Sequence, residues 1–401
     1  MNPVVTISGG GIIGNYISSR LSKNNIESLI IERSKSQNVI NENIRTLTLN
    51  SFSKKLLDDL GIKVPFAPIK EISVFDGDGS GSIHFSSKEI NEENLSYVVF
   101  FNDLQEKLQD HGDHQVFFEN QIEEIFQDNE NNCSELKLSN QEKIKTKFIA
   151  GCDGRNSNVA KIAKLNEKKS SYNQTAITFT ASCEIKDEYL AHQIFSDKGI
   201  FAIMPLPEND DKSTHTIVWS VDNENLRDIE IKDYVKNNIS YFEQKLSTKI
   251  DINSSILTFK LFSHHFENYI SGHVVLVGDA AHSIHPLAGQ GINLGFADAD
   301  ALCEEIISSY EKSMHIDQVL TLKRYEIRRK NMNLLMLKSM DFFVNLFGSK
   351  NLYIKRLIFI LPLSVDNSAS SFSSNVTISH SVISFGNSSI LLTSTIFKGC
   401  G

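Results

Sequence analysis

Apolar positions change period several times along the chain, and the changes mark out elements. Val4 to Ser8 is a short apolar run that reads as a buried strand, broken by Gly9-Gly10-Gly11. Ile13, Tyr16, Ile17 and Leu21 then recur at helical spacing within Ile12 to Asn24. Ser28 to Glu32 (SLIIE) reads as a second strand. Strand, glycine turn, helix and strand within about 30 residues make a βαβ unit of the size that opens dinucleotide-binding folds.

Further on, Leu47 to Leu60 reads as helical. Between Ile69 and Phe85, alternating Ile72 and Val74, glycines at 77, 79 and 81, then Ile83 and Phe85 predict a hairpin. Leu104 to His111 predicts a short amphipathic helix, and Gln115 to Lys147 two or three strands around the polar turn Asp128 to Asn132. Phe148 to Cys152 predicts a strand running into Asp153-Gly154. Ala176 to Val221 is β-rich around a polar loop, Pro207 to Ser213. His273 to Val277 enters Gly278-Asp279 as another apolar strand, and Gly291 to Tyr310 and Gln318 to Phe347 are helical. No internal repeat is visible. From Ser364 onward roughly a third of residues are Ser and no period survives, which fits a weakly ordered terminus or an altered end such as a frameshift.

Composition narrows the class. The chain has 401 residues, 40% hydrophobic and 22% charged, an ordinary globular mixture with length for two or three domains. Its net charge of -9 argues against a general nucleic-acid binder, which needs a basic surface. The five cysteines, Cys133, Cys152, Cys183, Cys303 and Cys400, form no C-x-x-C pair. Neither a disulfide framework nor a zinc site is expected, and a reducing compartment fits best. The N-terminus lacks a secretory pattern, and no run of about 18 apolar residues predicts a membrane-crossing helix. A cytoplasmic location is expected. Tyr353 to Leu363, with Lys355-Arg356 before an apolar run, is open to two readings: contact with the inner-membrane surface, or core packing.

Three motifs carry chemistry. In Gly9-x-Gly11-x-x-Gly14 the first glycine permits a tight turn, the second lets backbone approach a pyrophosphate, and the third lets helix pack on strand. The helix N-terminus then offers N–H groups to phosphate. Glu32 ends the second strand 18 residues after Gly14, the distance suited to an acid on ribose hydroxyls. Arg33 beside it is a second contact or a plain surface charge. The second motif is Val274 to His282, VVLVGDAAH, followed by His285-Pro286-Leu287-Ala288-Gly289-Gln290-Gly291-Ile292-Asn293. Its small residues let backbone approach a flat ligand, and Asp279 can accept from a chain of hydroxyls. The third is Ile149 to Ser157, IAGCDGRNS, again strand, Asp-Gly and helix start.

Together these motifs resemble the fingerprints of the single-component (class A) FAD-dependent aromatic hydroxylases. The segment GDAAHSIHPLAGQGINLGFADADAL resembles their ubiquinone-biosynthesis branch, the 2-octaprenyl-6-methoxyphenol hydroxylase type. Arg45 in RTLTLN, Tyr172 to Ala176 and Gly199 to Leu206 with Val218-Trp219-Ser220 support the likeness, which covers residues 4 to about 355. It implies an α/β fold: a Rossmann-like FAD-binding domain of the p-hydroxybenzoate hydroxylase kind, an interleaved mainly β substrate domain and a C-terminal helical segment. The expected ranges are 1–68, 86–170 and 266–320 for the FAD-binding domain, and 69–85 and 171–265 for the substrate domain. The helical segment takes 321–363 and the Ser-rich tail 364–401.

The resemblance also implies roles. Gly9, Gly11 and Gly14 would hold the FAD pyrophosphate and Glu32 the adenosine ribose. Arg45 and Asn102 would flank the cofactor, although the family commonly has Arg or Gln where this chain has Asn102. Asp153 would serve FAD and transient NADPH or NADH, and Asp279 the ribityl or pyrophosphate part. Backbone from Leu287 to Asn293, with Pro286, would lie against the flavin. The implied reaction hydroxylates a polyprenylated phenol with O₂ through a C4a-hydroperoxyflavin, and the implied setting includes other ubiquinone-biosynthesis proteins. Other readings are a small-phenol hydroxylase, a non-hydroxylating flavin oxidoreductase and a non-catalytic FAD-binding member of a complex.

The remaining polar candidates have blander readings. His282 and His285 are expected to shape the flavin loop, with His285 near the active site, and not to bind metal. His264-His265 reads as a surface or strand-end pair, and Asp298 and Asp300 as solvated or helix-packing residues. Cys152 reads as a small buried residue. Phe179, Ile194, Phe195, Ile200, Phe201, Ile203 and Trp219 are either lining for a prenyl tail or simply the core of the sheet.

Overall fold

The computed structural model describes residues 2–35, 43–77, 79, 81–111, 115–128, 130, 132–209, 213–286, 289–312 and 317–347, and short strands within 377–398. The segment Tyr353 to Leu363 therefore lies outside the described residues. The chain opens with β1 (Val5–Ser8), α1 (Ile12–Ser22), β2 (Ser28–Ile31), β3 (Thr46–Leu49) and α2 (Ser51–Asp59). Next come β4 (Ala67–Ile69), β5 (Glu71–Asp76), β6 (Ser82–Ser86), β7 (Ser96–Phe100) and α3 (Phe101–Gln109). Then follow β8 (Gln115–Phe117), β9 (Ile122–Asp128), β10 (Cys133–Leu138), β11 (Lys143–Thr146), β12 (Phe148–Gly151) and α4 (Asn158–Ile162). The middle holds β13 (Glu167–Cys183), β14 (Leu190–Ser196), β15 (Gly199–Pro205), β16 (His215–Asp222), α5 (Ile231–Leu246), β17 (Ile250–Ile252) and β18 (Leu257–Phe266). Last are β19 (Ile270–Ser271), β20 (Val274–Leu276), β21 (His282–Ser283), α6 (Gly291–Lys312) and α7 (Gln318–Phe347).

Two large sheets organise these elements. The first runs β19-β20-β12-β1-β2-β8, parallel throughout except for β19. Its central strands are buried on both faces, which is why they read as unbroken apolar runs. The helix α6 packs on α1 and α7 beside it. The second sheet has nine strands, ordered β21-β18-β13-β16-β15-β14-β5-β6 with β17 beside β13. One of its faces packs on Tyr234, Val235 and Phe242 of α5. A smaller sheet, β3-β7-β4, also borders the cavity described below.

Several elements differ from the sequence reading. Leu47 to Leu60 is not one helix. Its first residues pair with β7 as strand β3, and the helix begins only after Asn50, whose side chain accepts the Ser53 N–H at 2.8 Å. The stretch Gln115 to Lys147 holds four strands instead of two or three. Strand β13 starts at Glu167, because its polar first half is held by pairing with β18 and carries no apolar alternation. No helix among the described residues is long and apolar enough to cross a membrane.

Candidate functional site

One cavity of about 580 Å³ is lined by both large sheets. From the first sheet's side it receives Gly11, Gly154, Arg155, Asp279, Gly291 and Ile292. From the second it receives Ala176, Thr178, Ile200, Ala202, Met204, Val218 and Ser220. The three separate strand-to-turn motifs therefore converge on a single space.

The glycines there do two different jobs. Gly9 has φ +108°, and a Cβ on it would lie 2.5 Å from the Cys152 carbonyl oxygen. A Cβ on Gly14 would lie 2.0 Å from the Gly9 oxygen. These two glycines pack α1 against β1 and β12. By contrast, a Cβ on Gly11, Gly154 or Gly291 would meet nothing within 4 Å, and all three line the cavity. Bare backbone with free space beside the starts of α1 and α6 is what a pyrophosphate and a flat ring require. These residues fit FAD.

Glu32 is pinned over the same turn: its carboxylate accepts the Gly10 N–H at 2.6 Å and the Ser34 N–H at 2.8 Å. Arg33 beside it is exposed. Gln105 of α3, which sequence reasoning missed, donates from Nε2 to the Gly10 oxygen at 2.7 Å and keeps a buried Oε1 without a partner. Asn102 lies in the first turn of α3, but Phe101 is the residue of that turn that reaches the cavity. Arg45 lines the cavity with its guanidinium 4.2 Å from the Phe101 ring centre.

Asp153 does not line the cavity. Its Oδ2 accepts the N–H groups of Asn158 and Val159 at 2.7 and 3.1 Å, so it caps α4 together with Ser157. The following residue pair takes the cavity position, and Arg155 is a second residue the sequence reading passed over. Its Nε sits 3.5 Å from Asp279 Oδ2. Asp279 itself faces the cavity from the short turn Gly278–Ala280.

That turn is held from behind by histidines that are not at the surface. His264 is 1% exposed, with Nδ1 2.9 Å from Glu167 Oε1 and Nε2 2.9 Å from the Asp279 backbone oxygen. His265 is buried too, so of the two readings of this pair the surface one fails and the strand-end one holds, at the end of β18 against β21. His282 contacts Asp298 at 2.5 Å, and Asp298 also accepts from Arg329 at 2.8 Å, Asn333 at 2.9 Å and the Gly278 N–H at 3.3 Å. Burial works to raise the Asp298 carboxyl, but His282 and Arg329 outweigh it and bring it to about 2. Asp298 is thus an ionised, fully buried brace between α6, α7 and the Gly278 turn, and solvation plays no part. Asp300, also buried, accepts the Tyr16 hydroxyl at 3.0 Å.

In the loop before α6, Pro286, Gly289, Gly291 and Ile292 line the cavity, while Leu287 and Ala288 lie outside the described residues. His285 is buried behind Pro286, with Nε2 2.9 Å from Gln174 Oε1, and burial pushes its pKa down to about 4. Asn293 anchors the helix start: it accepts the Asn50 N–H and donates to the Thr48 oxygen, both at 2.9 Å. Cys152 borders the cavity, but burial and Asp153 hold its thiol protonated, so it is no thiolate. Among the described residues no group of three metal-ligating side chains occurs.

Of the two readings of the seven large apolar residues, tail lining fits only Ile200, which borders the cavity, and sheet core fits the rest. Phe179, Ile194, Phe201, Ile203 and Trp219 point to the other face and pack with α5, and Phe195 belongs to a separate apolar cluster.

Known proteins match this arrangement. Residues 2–333 match the FAD binding domain family. The chain is 27% identical to the ubiquinone biosynthesis monooxygenase COQ6 of Dictyostelium discoideum, over 88% of this chain and 86% of that one. It is 26% identical to the 3-demethoxyubiquinol 3-hydroxylase of Escherichia coli K12, over 84% and 88%. Solved structures with the same fold include P. aeruginosa PqsL in complex with 2-aminobenzoylacetate, at a TM-score of 0.74 and 16% identity over 87% of this chain and 96% of that one. Another is the p-nitrophenol 4-monooxygenase PnpA of Pseudomonas putida DLL-E4, with a TM-score of 0.72 and 16% identity over 88% and 91%. With its glycine cradle and three converging motifs, the chain belongs to the FAD binding domain family, in its p-hydroxybenzoate hydroxylase-like fold.

Proposed function

We propose that this protein is an FAD- and NAD(P)H-dependent monooxygenase that hydroxylates the ring of a polyprenylated phenol in ubiquinone biosynthesis. The observation that carries the reading is the single cavity in which a bare-backbone cradle faces an apolar sheet wall. The similarity to a ubiquinone biosynthesis monooxygenase and to a 3-demethoxyubiquinol 3-hydroxylase supports the substrate class.

In this reading Gly9, Gly11 and Gly14 shape the pyrophosphate site and Glu32 takes the adenosine ribose. Arg45, Asp279 and the backbone of Gly289 to Ile292 hold the rest of the cofactor, with Arg155 beside Asp279. When bound, FAD accepts hydride from NAD(P)H and activates O₂ for transfer to the ring. The chain's own part is to bind, orient and keep water out. Ala176, Ala202, Val218 and Ser220 leave room for a flat ring, and Ile69, Ile72, Ile200 and Met204 give it an apolar bed. No carboxylate or histidine is singled out as a base, and an electron-rich phenol has little need of one. We extend the proposal to peripheral contact with the inner membrane and with other proteins of the pathway, since so apolar a substrate resides in lipid.

A buried tail contributes roughly 0.8 kcal/mol per CH₂-sized group before binding costs are subtracted. Coupled NADPH oxidation with short- and long-tailed phenols tests the reading. The long-tailed phenol is expected to have the higher catalytic efficiency. Equal efficiency for both would favour a small-phenol hydroxylase.

A further inference from the structure

Several polar side chains line the cavity, and two of them, Gln193 and Ser96, carry buried donors without a partner, as does His192 at Nδ1. Gln193 of β14 lies opposite Ala202 of β15 and Val74 of β5. Directly paired residues project to the same face of a sheet, and Ala202 lines the cavity, as Gln193 does. Gln193 is 3% exposed and its Nε2 is buried without a hydrogen-bond partner. Ser96, the first residue of β7, is 4% exposed, lines the same cavity, and has an unpartnered buried Oγ. It lies opposite Ile69 of β4, itself a lining residue.

Buried amide and hydroxyl donors are nearly always paired, because desolvating them without compensation is costly. Two unpaired donors facing one cavity are open to acceptor atoms brought by a ligand. Neither residue belongs to the glycine and Asp-Gly motifs of the cofactor cradle. A hydrocarbon tail brings no acceptor, whereas an oxygen carried by the ring does.

We propose that Gln193 and Ser96 are specificity-determining residues that hydrogen-bond an oxygen substituent of the aromatic ring, a hydroxyl or methoxy group, and so fix which ring edge faces the flavin. The inference rests on the phenol-hydroxylase reading above and names the part of the substrate that the wall recognises. Sites built to hydrogen-bond a substrate group reject the analogue lacking it, because their own polar groups are then left unpaired. One such bond is expected to change discrimination by about 10-fold.

The test uses the full-length flavoprotein and two phenols with the same prenyl tail, one bearing a ring methoxy group and one bearing hydrogen at that position. Catalytic efficiency is measured for both with the wild type, Gln193→Leu and Ser96→Ala. The wild type is expected to prefer the methoxy phenol. Gln193→Leu should cut that preference about 10-fold, and Ser96→Ala should cut it in the same direction by less. Flavin content, read from absorbance, shows that each variant keeps its cofactor site. If Gln193→Leu fails to fold, Gln193→Met and Ser96→Ala carry the comparison. An unchanged preference in flavin-loaded variants, or no preference in the wild type, overturns the assignment. Hydroxylation of neither phenol by the wild type overturns the reading beneath it and the assignment together.

Discussion

The two faces of the nine-stranded sheet are built from the same alternating strands and are unlike in every other respect. One face carries Phe179, Phe201, Ile217 and Trp219, and α5 covers it. There the Phe201 and Phe242 rings stack at 4.1 Å, and Trp219 meets Phe242 edge-on at 4.9 Å while its Nε1 donates to the Lys198 oxygen at 2.8 Å. The other face carries Ala176, Thr178, Ala202, Val218 and Ser220, and borders the cavity. Large side chains call for a protein cover. Small ones leave a gap for a ligand. The contrast assigns stability to one face and recognition to the other.

The strongest way to break the contrast is on the covered face. Trp219→Ala should cost about 3–5 kcal/mol, the usual penalty for emptying an aromatic site in a core. Urea unfolding measures it, and a loss below about 1 kcal/mol would show that this face is not the packed one. On the open face, Ala202→Phe should leave stability within about 1 kcal/mol of wild type. It should lower catalytic efficiency on the order of 100-fold by displacing the ring. Full activity in that variant would mean that the substrate lies elsewhere.

Asp279 lies across the cavity from that wall and belongs to neither face. Asp279→Ala should weaken FAD by roughly 10–150-fold while the fold survives, as expected for loss of a charge-assisted hydrogen bond. Titration of FAD into the apoprotein reads this, and an unchanged dissociation constant removes Asp279 from the cofactor site. The smallest effect concerns pH. His215 lies opposite Pro205 on the covered face and His192 lines the cavity, and burial pushes both from 6.5 to about 4. Both are neutral when folded, so between pH 6.5 and 4 the unfolded chain holds more protons than the folded one. Stability is therefore complete above that window and falls as pH drops through it, by up to about 1.4 kcal/mol per pH unit for each histidine. His215→Leu should show a shallower fall in urea midpoint between pH 7 and pH 5 than the wild type. An identical slope would contradict the assignment.

The sequence was informative where local chemistry dictates structure and silent where tertiary contact does. The glycine turn, Glu32, Gly278-Asp279 and the helices from Gly291 and Gln318 were legible because turn sterics and helical periodicity are local. Ala176 to Val221 was legible as β-rich, but nothing local told which face α5 would cover, so the large residues stayed open between tail lining and sheet core. Leu47 to Leu49 reads as helix from the sequence because only its pairing with β7 makes it a strand. Asp153 was legible as a motif residue, yet its Oδ2 caps the first turn of α4. Gln105, Ser96 and Gln193 left no local signal, and Arg155 stood inside the third motif with no role of its own. Each matters through a neighbour far away in sequence, and only the buried, unpartnered atoms of Gln105, Ser96 and Gln193 mark them out.

Oxygen tracing puts the hydroxylase reading to its most direct test. Purified flavoprotein is incubated with NADPH, ¹⁸O₂ and a long-tailed phenol, and the product is weighed by mass spectrometry. One labelled oxygen on the ring for each NADPH oxidised is the expected result. NADPH oxidation that yields only labelled hydrogen peroxide, or a hydroxylated ring carrying oxygen from water, would contradict it.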